Sequence, residues 1–379
     1  MIGAWDLIFL PLLSTAAVFC LLGTLLTVLH RMRPRSRPDT ASPVTVLKPL
    51  DGIFPGLRDA LESFFLQDHP HYQIVIGVRS GDEPARGIAE ELRRSHPGVD
   101  CQVVTAGPNL GTNPKVTNLQ YMMEAAKHDL VLISDDDVRA DRDYLTRMAG
   151  SFRDPQVGVV TSPSWARPKG PLLALDALTR ATEFLPLVLF LERLDEGLSF
   201  ALGASSMFRR KTLEDIGGLG NCSDCLAEDY ILGSRGHNRG WQIQLAPEAV
   251  ELRHEFGSAG DYLEYQIRWS RTYRVCRPRN HLLSILTQGI FLGLIFIAVT
   301  GASRMSLAAT AGFAALRLLT SAADILLLCR PSLLLWLPLL PLRDLLSTVF
   351  WTASFLGRTV RWRGRKFRLL PDGRLTLMD

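Results

Sequence analysis

The sequence predicts an α/β protein whose mostly parallel sheet is wound on both faces by helices and carried between N-terminal and C-terminal apolar helices. Three observations lead there: β-branched runs alternate with helical periods from residue 44 to residue 161, long stretches at both ends lack charge, and the composition is mixed. Hydrophobic residues make up 47% of the 379-residue chain, and the mean hydropathy of +0.12 is high for a soluble enzyme. The 21% of charged residues is too many for an all-membrane bundle. Length allows two to three domain-sized units and excludes a small disulfide-stapled protein. Net charge is only +4, and Arg supplies 36 of the 42 cationic residues. The basic runs lie beside apolar stretches, which points to a membrane edge and away from nucleic acid.

Residues 7–29 contain no charge, enough for a helix across the hydrocarbon core. Asp6 precedes them and Arg31, Arg33, Arg35 and Arg37 follow, which predicts an uncleaved anchor with its C-terminal side in the cytosol. A basic linker covers 31–42. Strands are expected at 44–47, 74–78, 103–104, 130–133 and 157–161, with helices at 56–66, 84–94, 114–126 and 141–152. Such a sheet takes its ligands at the carboxyl ends of its strands. Residues 172–202 are apolar but carry seven charges, fitting either an interfacial, acceptor-facing helix or a buried one. Residues 282–303 are uncharged and should cross the bilayer. Residues 306–329 are long enough, and their Arg317 and Asp324 share a helical face and can point at protein together. Residues 332–356, interrupted by Pro338, Pro341, Arg343 and Asp344, read as interfacial or re-entrant. Two crossings then return the chain to the side of its basic flanks, Arg271 to Arg279 and Arg358 to Arg368. The expected division is an anchor at 1–30, the linker at 31–42, a cytosolic catalytic domain at 43–280, membrane and interfacial helices at 281–357, and a basic cytosolic tail at 358–379.

The chemistry-bearing residues stand at strand ends and helix starts. Ile133-Ser134-Asp135-Asp136-Asp137 closes an apolar strand with carboxylates. A solvated acidic turn is the plain alternative, but at this place a carboxylate pair suits Mg²⁺ or Mn²⁺ on a diphosphate, because a hard cation fills its shell with water and phosphate. Asp82, in Arg79-Ser80-Gly81-Asp82-Glu83-Pro84, follows the second strand and suits either a nucleotide base or ribose, or simple turn chemistry. Gly111 to Asn118 opens a helix, with Lys115 available to phosphate or serving only the helix start. In Ala227-Glu228-Asp229-Tyr230 adjacent acids point in different directions, so one can serve as a general base and the other face the scaffold. Arg268-Trp269 is a basic, aromatic pair suited to phosphate and stacking, or to a membrane edge. The six cysteines imply no disulfide framework, and Cys222-Ser223-Asp224-Cys225 lacks the second ligand pair of a zinc site.

In order, Leu47-Lys48-Pro49-Leu50, Asp82, the 111–118 run, Asp135-Asp136-Asp137, Glu228-Asp229 and Arg268-Trp269 resemble the ceramide glucosyltransferase family of inverting, family-21-like glycosyltransferases. The likeness runs from the first anchor through Trp362-Arg363-Gly364-Arg365-Lys366-Phe367-Arg368. It implies a Rossmann-like GT-A domain, tethered by transmembrane helices, that moves glucose from UDP-glucose to the primary hydroxyl of ceramide, a membrane lipid. It also implies that Asp229 is the catalytic base and that Asp135 and Asp137 hold the divalent metal. Lys48, Asp82, Lys115, Asp135, Arg268 and Trp269 would then bind the nucleotide sugar. The family's closing motif begins with Gln or Arg three residues before its Arg-Trp; here Tyr265 stands there and Gln266 comes one residue late. A bacterial inner membrane fits the Arg-rich composition. The related branch that glycosylates hopanoid lipids with N-acetylglucosamine, and a non-catalytic lipid-binding scaffold, are the rival readings.

Overall fold

A computed structural model of the chain describes residues 3–328, 330–362 and 365–378, so Cys329 and the Arg363-Gly364 step of the tail motif lie outside the described residues. The chain forms two compact units, each assembled from separated segments. One comprises Pro34–Arg167, Glu192–Glu255 and Phe367–Asp379, and the other Met1–Arg33, Pro168–Leu191 and Phe256–Lys366. The segment expected to form one domain at 43–280 is therefore shared between them.

Among the described residues, ten strands between 44 and 252 build the first of these units: β1 (Val44–Pro49), β2 (Tyr72–Arg79), β3 (Asp100–Ala106), β4 (Leu130–Ser134), β5 (Val138–Arg139), β6 (Val157–Thr161), β7 (Ser164–Ala166), β8 (Ser205–Arg209), β9 (Gln242–Leu245) and β10 (Val250–Leu252), and its C-terminal segment adds the strand Leu375–Leu377, paired antiparallel with Arg365–Leu369. Seven of them make a sheet in the order β3-β2-β1-β4-β8-β6-β9. The strands β3, β2, β1 and β4 run parallel, with Val46 opposite both Ile74 and Leu132. Helices Leu57–Phe65, Glu83–Ser95 and Pro114–Ala125 supply the crossovers. A parallel strand covered on both faces has no polar side to show, and β1 and β4 are buried along their whole length.

All five expected strands and four expected helices form, and the fold is the α/β class anticipated. Of the strands missing from the sequence reading, β5, β7, β8, β9 and β10, the most central is β8, which is antiparallel to both β4 and β6. Its Ser205 and Ser206 break the apolar pattern that marks a buried strand. Burial is nonetheless satisfied, because Ser205 Oγ accepts a 2.9 Å bond from the Tyr144 hydroxyl and Ser206 Oγ lies 2.6 Å from Thr161 Oγ1. A second, three-stranded sheet joins β5 antiparallel to β10 and β10 parallel to β7.

The other unit is helical. By length and composition, Ala4–Arg31, Arg304–Leu327 and Pro331–Phe355 can each cross a membrane. Phe9 of the first stacks on Phe296 at 5.3 Å. The crossing expected at 282–303 forms as two short pieces, Pro278–Thr287 and Gly289–Val299, bent by 57° at Gln288, which is the geometry of either a broken span or a re-entrant loop. Conversely, the 332–356 stretch is long and apolar enough to cross by length and composition, and its Arg343 and Asp344 are buried, so neither charge opposes that reading. Arg317 and Asp324 are both buried, as their shared face suggests, and Arg317 reaches Asp344 through two 3.1 Å bonds. The 172–202 stretch begins as helix Pro171–Thr179, widens to a π-helical turn at Arg180–Phe184 and continues as helix Leu185–Leu194.

Gly77 shows how tightly the sheet is covered. A Cβ there would overlap Asn118 and Met122 of the helix above, and Asn118 already donates to the Gly77 carbonyl at 2.9 Å. Gly77→Ala is expected to cost about 1–3 kcal/mol, as overpacking does, read as a lowered unfolding midpoint in detergent.

Candidate active site

The site grows from the carboxyl end of β4. The chain turns there, with the Asp135 N–H donating to the Ala204 carbonyl at 3.0 Å and the Val138 N–H returning to the Asp135 carbonyl at 3.2 Å. Under this turn lies Lys48 of β1, completely buried. Its ammonium donates to the carbonyls of Asp135 and Val138 and to Ser134 Oγ, and sits 4.3 Å from the Phe64 ring centre. Burial pulls its pKa down to about 8 against the attraction of Asp136, Asp137 and Asp135. Lys48 is therefore a support beneath the aspartate turn, out of reach of a nucleotide as it stands.

The three aspartates face three different partners. Asp136 accepts the Asp51 N–H at 3.1 Å, and Asp137 Oδ2 lies 3.6 Å from His254 Nδ1. Asp135 Oδ1 meets the ammonium of Lys115 at 2.5 Å. Lys115 lies in the first turn of Pro114–Ala125, a helix opened by Asn113, whose Oδ1 accepts the N–H groups of Lys115 and Val116. The Asn113 Nδ2 donates in turn to the Cys225 carbonyl at 2.7 Å and to Glu228 at 3.3 Å. That brings the start of helix Glu228–Asn238 against the same lysine, and Glu228 Oε1 stands 2.6 Å from its ammonium. Burial alone would depress Lys115, but the charges of Asp135 and Glu228 outweigh it and its pKa is raised.

Asp229 turns another way. Its carboxylate lies over Gly203, where an added Cβ would come within 2.8 Å of Oδ2, and the residue stays partly exposed. Burial first, then the negative charge of Glu228, pushes its pKa up to about 7, with Lys115 opposing. A carboxylate with that pKa can take a proton near neutral pH.

Asp135, Lys115, Glu228 and Asp229 thus come together. Asp82 caps the next helix, accepting the Ala85 N–H at 3.3 Å, and also the Gly52 N–H at 2.8 Å, so it shapes the ends of β1 and β2. Arg268 and Trp269 belong to the helical unit. Arg268 lies over the Tyr265 ring, while Trp269 packs on Phe184, Tyr265 and Tyr273 with the Arg180 guanidinium 5.3 Å from its centre. Gln266 is buried and donates to Asp176 at 3.2 Å, and the Tyr265 hydroxyl receives Arg180 at 2.7 Å. Two contributors were given no role of their own in the sequence reading. Asn113 was legible as a polar residue before Pro114 at a helix start, whereas His254 reaches Asp137 only through the pairing of β10 with β5 and carries no local signal.

Among the described residues, no three His, Cys, Asp or Glu side chains converge as a ready metal cage. The carboxylates of Asp135 and Asp137 on one short turn still fit a hard divalent cation, which needs only one or two protein oxygens when a diphosphate completes its shell. Cys222 and Cys225 are free thiols.

Two outcomes are expected. Gly203→Ala, by pushing on the Asp229 carboxylate, lowers kcat by tenfold or more while the melting temperature moves little. Lys115→Met leaves the buried Glu228 and the partly exposed Asp135 without their cation and costs about 3 kcal/mol, the low end for a broken buried pair, in an unfolding titration.

A family model described as "Glycosyl transferase family 21" matches residues 12–375. Ceramide glucosyltransferase 1 of Caenorhabditis elegans is 25% identical over 92% of this chain and 76% of its own length. Ceramide glucosyltransferase 3 of the same organism is 26% identical over 70% of this chain, which spans only 58% of that relative. Among solved structures, a mannosyltransferase from Pyrobaculum calidifontis, in complex with GDP-Man and Mn2+, superposes with a TM-score of 0.54 at 19% identity, covering 91% of this chain and 98% of its own. That likeness shows the shared GT-A fold. The chain belongs to glycosyl transferase family 21 and is a sugar-transferring enzyme.

Proposed function

We propose, from that membership, that this enzyme transfers glucose from UDP-glucose to the primary hydroxyl of ceramide at a bacterial inner membrane, with its catalytic unit in the cytosol. The observation that carries the reading is Asp229, a partly exposed carboxylate with a pKa of about 7 beside the Lys115, Asp135 and Glu228 cluster. The named relatives support the donor and the acceptor, and the spans Ala4–Arg31, Arg304–Leu327 and Pro331–Phe355 suit a membrane lipid as substrate.

Asp229 takes the proton of the acceptor hydroxyl, whose oxygen forms a bond to the anomeric carbon as the bond to UDP breaks. One displacement inverts an α-linked donor to a β-glycoside. Lys115 holds Asp135 in place with one positive charge and Glu228 with the same charge, so neither carboxylate swings into the acceptor's path. Lys48 fixes the turn from below. Asp82 and the Arg268-Trp269 pair are assigned to the donor by the motifs they occupy. A divalent cation, Mg²⁺ or Mn²⁺, held at Asp135 and Asp137 would supply Lewis-acid charge for the departing diphosphate.

The test is product formation by the purified protein in detergent with UDP-glucose, ceramide and Mg²⁺. β-Glucosylceramide should form, EDTA should abolish it, and Asp229→Asn should lower kcat by 10²–10⁴. UDP release without that product would transfer the reading to hopanoid acceptors or to an N-acetylglucosamine donor. No turnover of any sugar nucleotide by folded protein would refute the mechanism.

The pH profile has a definite sign. A raised carboxyl pKa keeps Asp229 protonated, and unable to accept a proton, below about 7. kcat/KM should therefore rise with pH through a midpoint near 7, and a profile flat from pH 5 to 8 would remove Asp229 as the base.

A further inference from the structure

The helical unit presents apolar side chains outward, among them Leu319, Leu335, Leu342 and Val349. Inside it runs a chain of four alternating charges. Arg317 forks onto Asp344, Asp344 also accepts Arg343 at 2.6 Å, and Arg343 pairs with Glu183. The cations are further satisfied by Thr182, whose carbonyl and hydroxyl take Arg317 at 3.0 and 3.3 Å, and by Thr179, which takes Arg343 at 3.1 Å. Arg317, Arg343 and Asp344 keep only 11%, 3% and 8% of their side-chain surface, whereas Glu183 keeps 28%. The chain therefore ends in a carboxylate that is partly exposed, unlike the three charges behind it.

Glu183 stands on the π-helical turn Arg180–Phe184, where the Leu185 N–H reaches back five residues to the Arg180 carbonyl. Such turns persist where a function holds them. Ser347 steadies the carboxylate, its hydroxyl 3.2 Å from both oxygens. The next residue, Phe184, lies edge-on to Trp269 at 5.8 Å and stacks on Tyr273 at 6.2 Å, an aromatic wall beside an anionic tip. A carboxylate only accepts hydrogen bonds, so at the edge of an apolar helix bundle it selects neutral donors, O–H and N–H, and repels phosphate.

We propose that Glu183, positioned by Ser347 and Arg343, binds the hydroxyl and amide donors of a neutral lipid head group and so sets acceptor specificity. This rests on the lipid-acceptor reading above. The test uses the full-length protein in neutral-lipid nanodiscs, with Glu183→Gln, Glu183→Asp and Ser347→Ala. In Glu183→Gln, Arg343 keeps Asp344, so the fold should hold. Acceptor KM is expected to rise tenfold or more, with the UDP-glucose KM and donor hydrolysis unchanged, and Glu183→Asp should recover part of the loss. Unchanged acceptor KM, or equal losses for donor and acceptor with a lower melting temperature, would overturn the proposal. Native mass spectrometry separates it from the functional reading: wild type should retain ceramide over phosphatidylglycerol and Glu183→Gln should lose that preference, even if no lipid is glycosylated. Equal retention by both proteins would also overturn it.

Discussion

The reacting end of the sheet depends on one ammonium, that of Lys115. It lies 2.5 Å from Asp135 and 2.6 Å from Glu228, and so ties the turn after β4 to the start of helix Glu228–Asn238. Two carboxylates about 4 Å apart repel by about 4 kcal/mol at an effective dielectric of 20, and the cation between them converts that repulsion into two attractions. Its position is fixed by Asn113, which caps the lysine's own helix with one side-chain atom and holds Cys225 and Glu228 with another. The basicity of Asp229 follows. The negative charge of Glu228 adds to burial in raising its neighbour's pKa to about 7.

Two buried lysines serve this end of the sheet in opposite electrostatic states. Lys48 is met by carbonyl dipoles, a hydroxyl and the face of Phe64, which do not repay the loss of water, and its pKa falls to about 8. Lys115 is met by carboxylates and holds its proton more firmly than in water. The first organises backbone and the second organises charge. Exchanging their surroundings would leave the Asp135 turn without support and the acids without a counter-ion.

What the sequence made legible was local. Alternating β-branched runs marked β1, β2, β4 and β6, and the acids at Asp135 and Asp229 stood out because a strand end and a helix start are where such a sheet exposes reactive groups. Lys115 was readable as a residue of a helix opening, but its two partners lie 20 and 113 positions away. Spacing cannot report such contacts. The same limit hid His254 beside Asp137 and concealed β8, whose serines are buried through hydroxyl bonds and not through apolarity. Asp82 was visible as a turn residue, and its grip on the Gly52 N–H adds a link between neighbouring strand ends that no turn rule supplies.

Charges misled the reading of the apolar segments for a related reason. A one-dimensional count treats Arg343 and Asp344 as interrupting a span, yet paired inward they leave an apolar exterior, and Pro331–Phe355 is long enough to cross. The uncharged run at 282–303, by contrast, bends by 57° and supplies no single straight helix. If the bent pair returns to the face it enters, Arg304–Leu327 and Pro331–Phe355 make two crossings, and the basic groups from Arg271 to Arg279 and from Arg358 to Arg368 share a side. Basic flanks thus constrain the number of crossings without naming them, and a charged pair such as Arg343 and Asp344 is compatible with a span because it is buried and satisfied within protein.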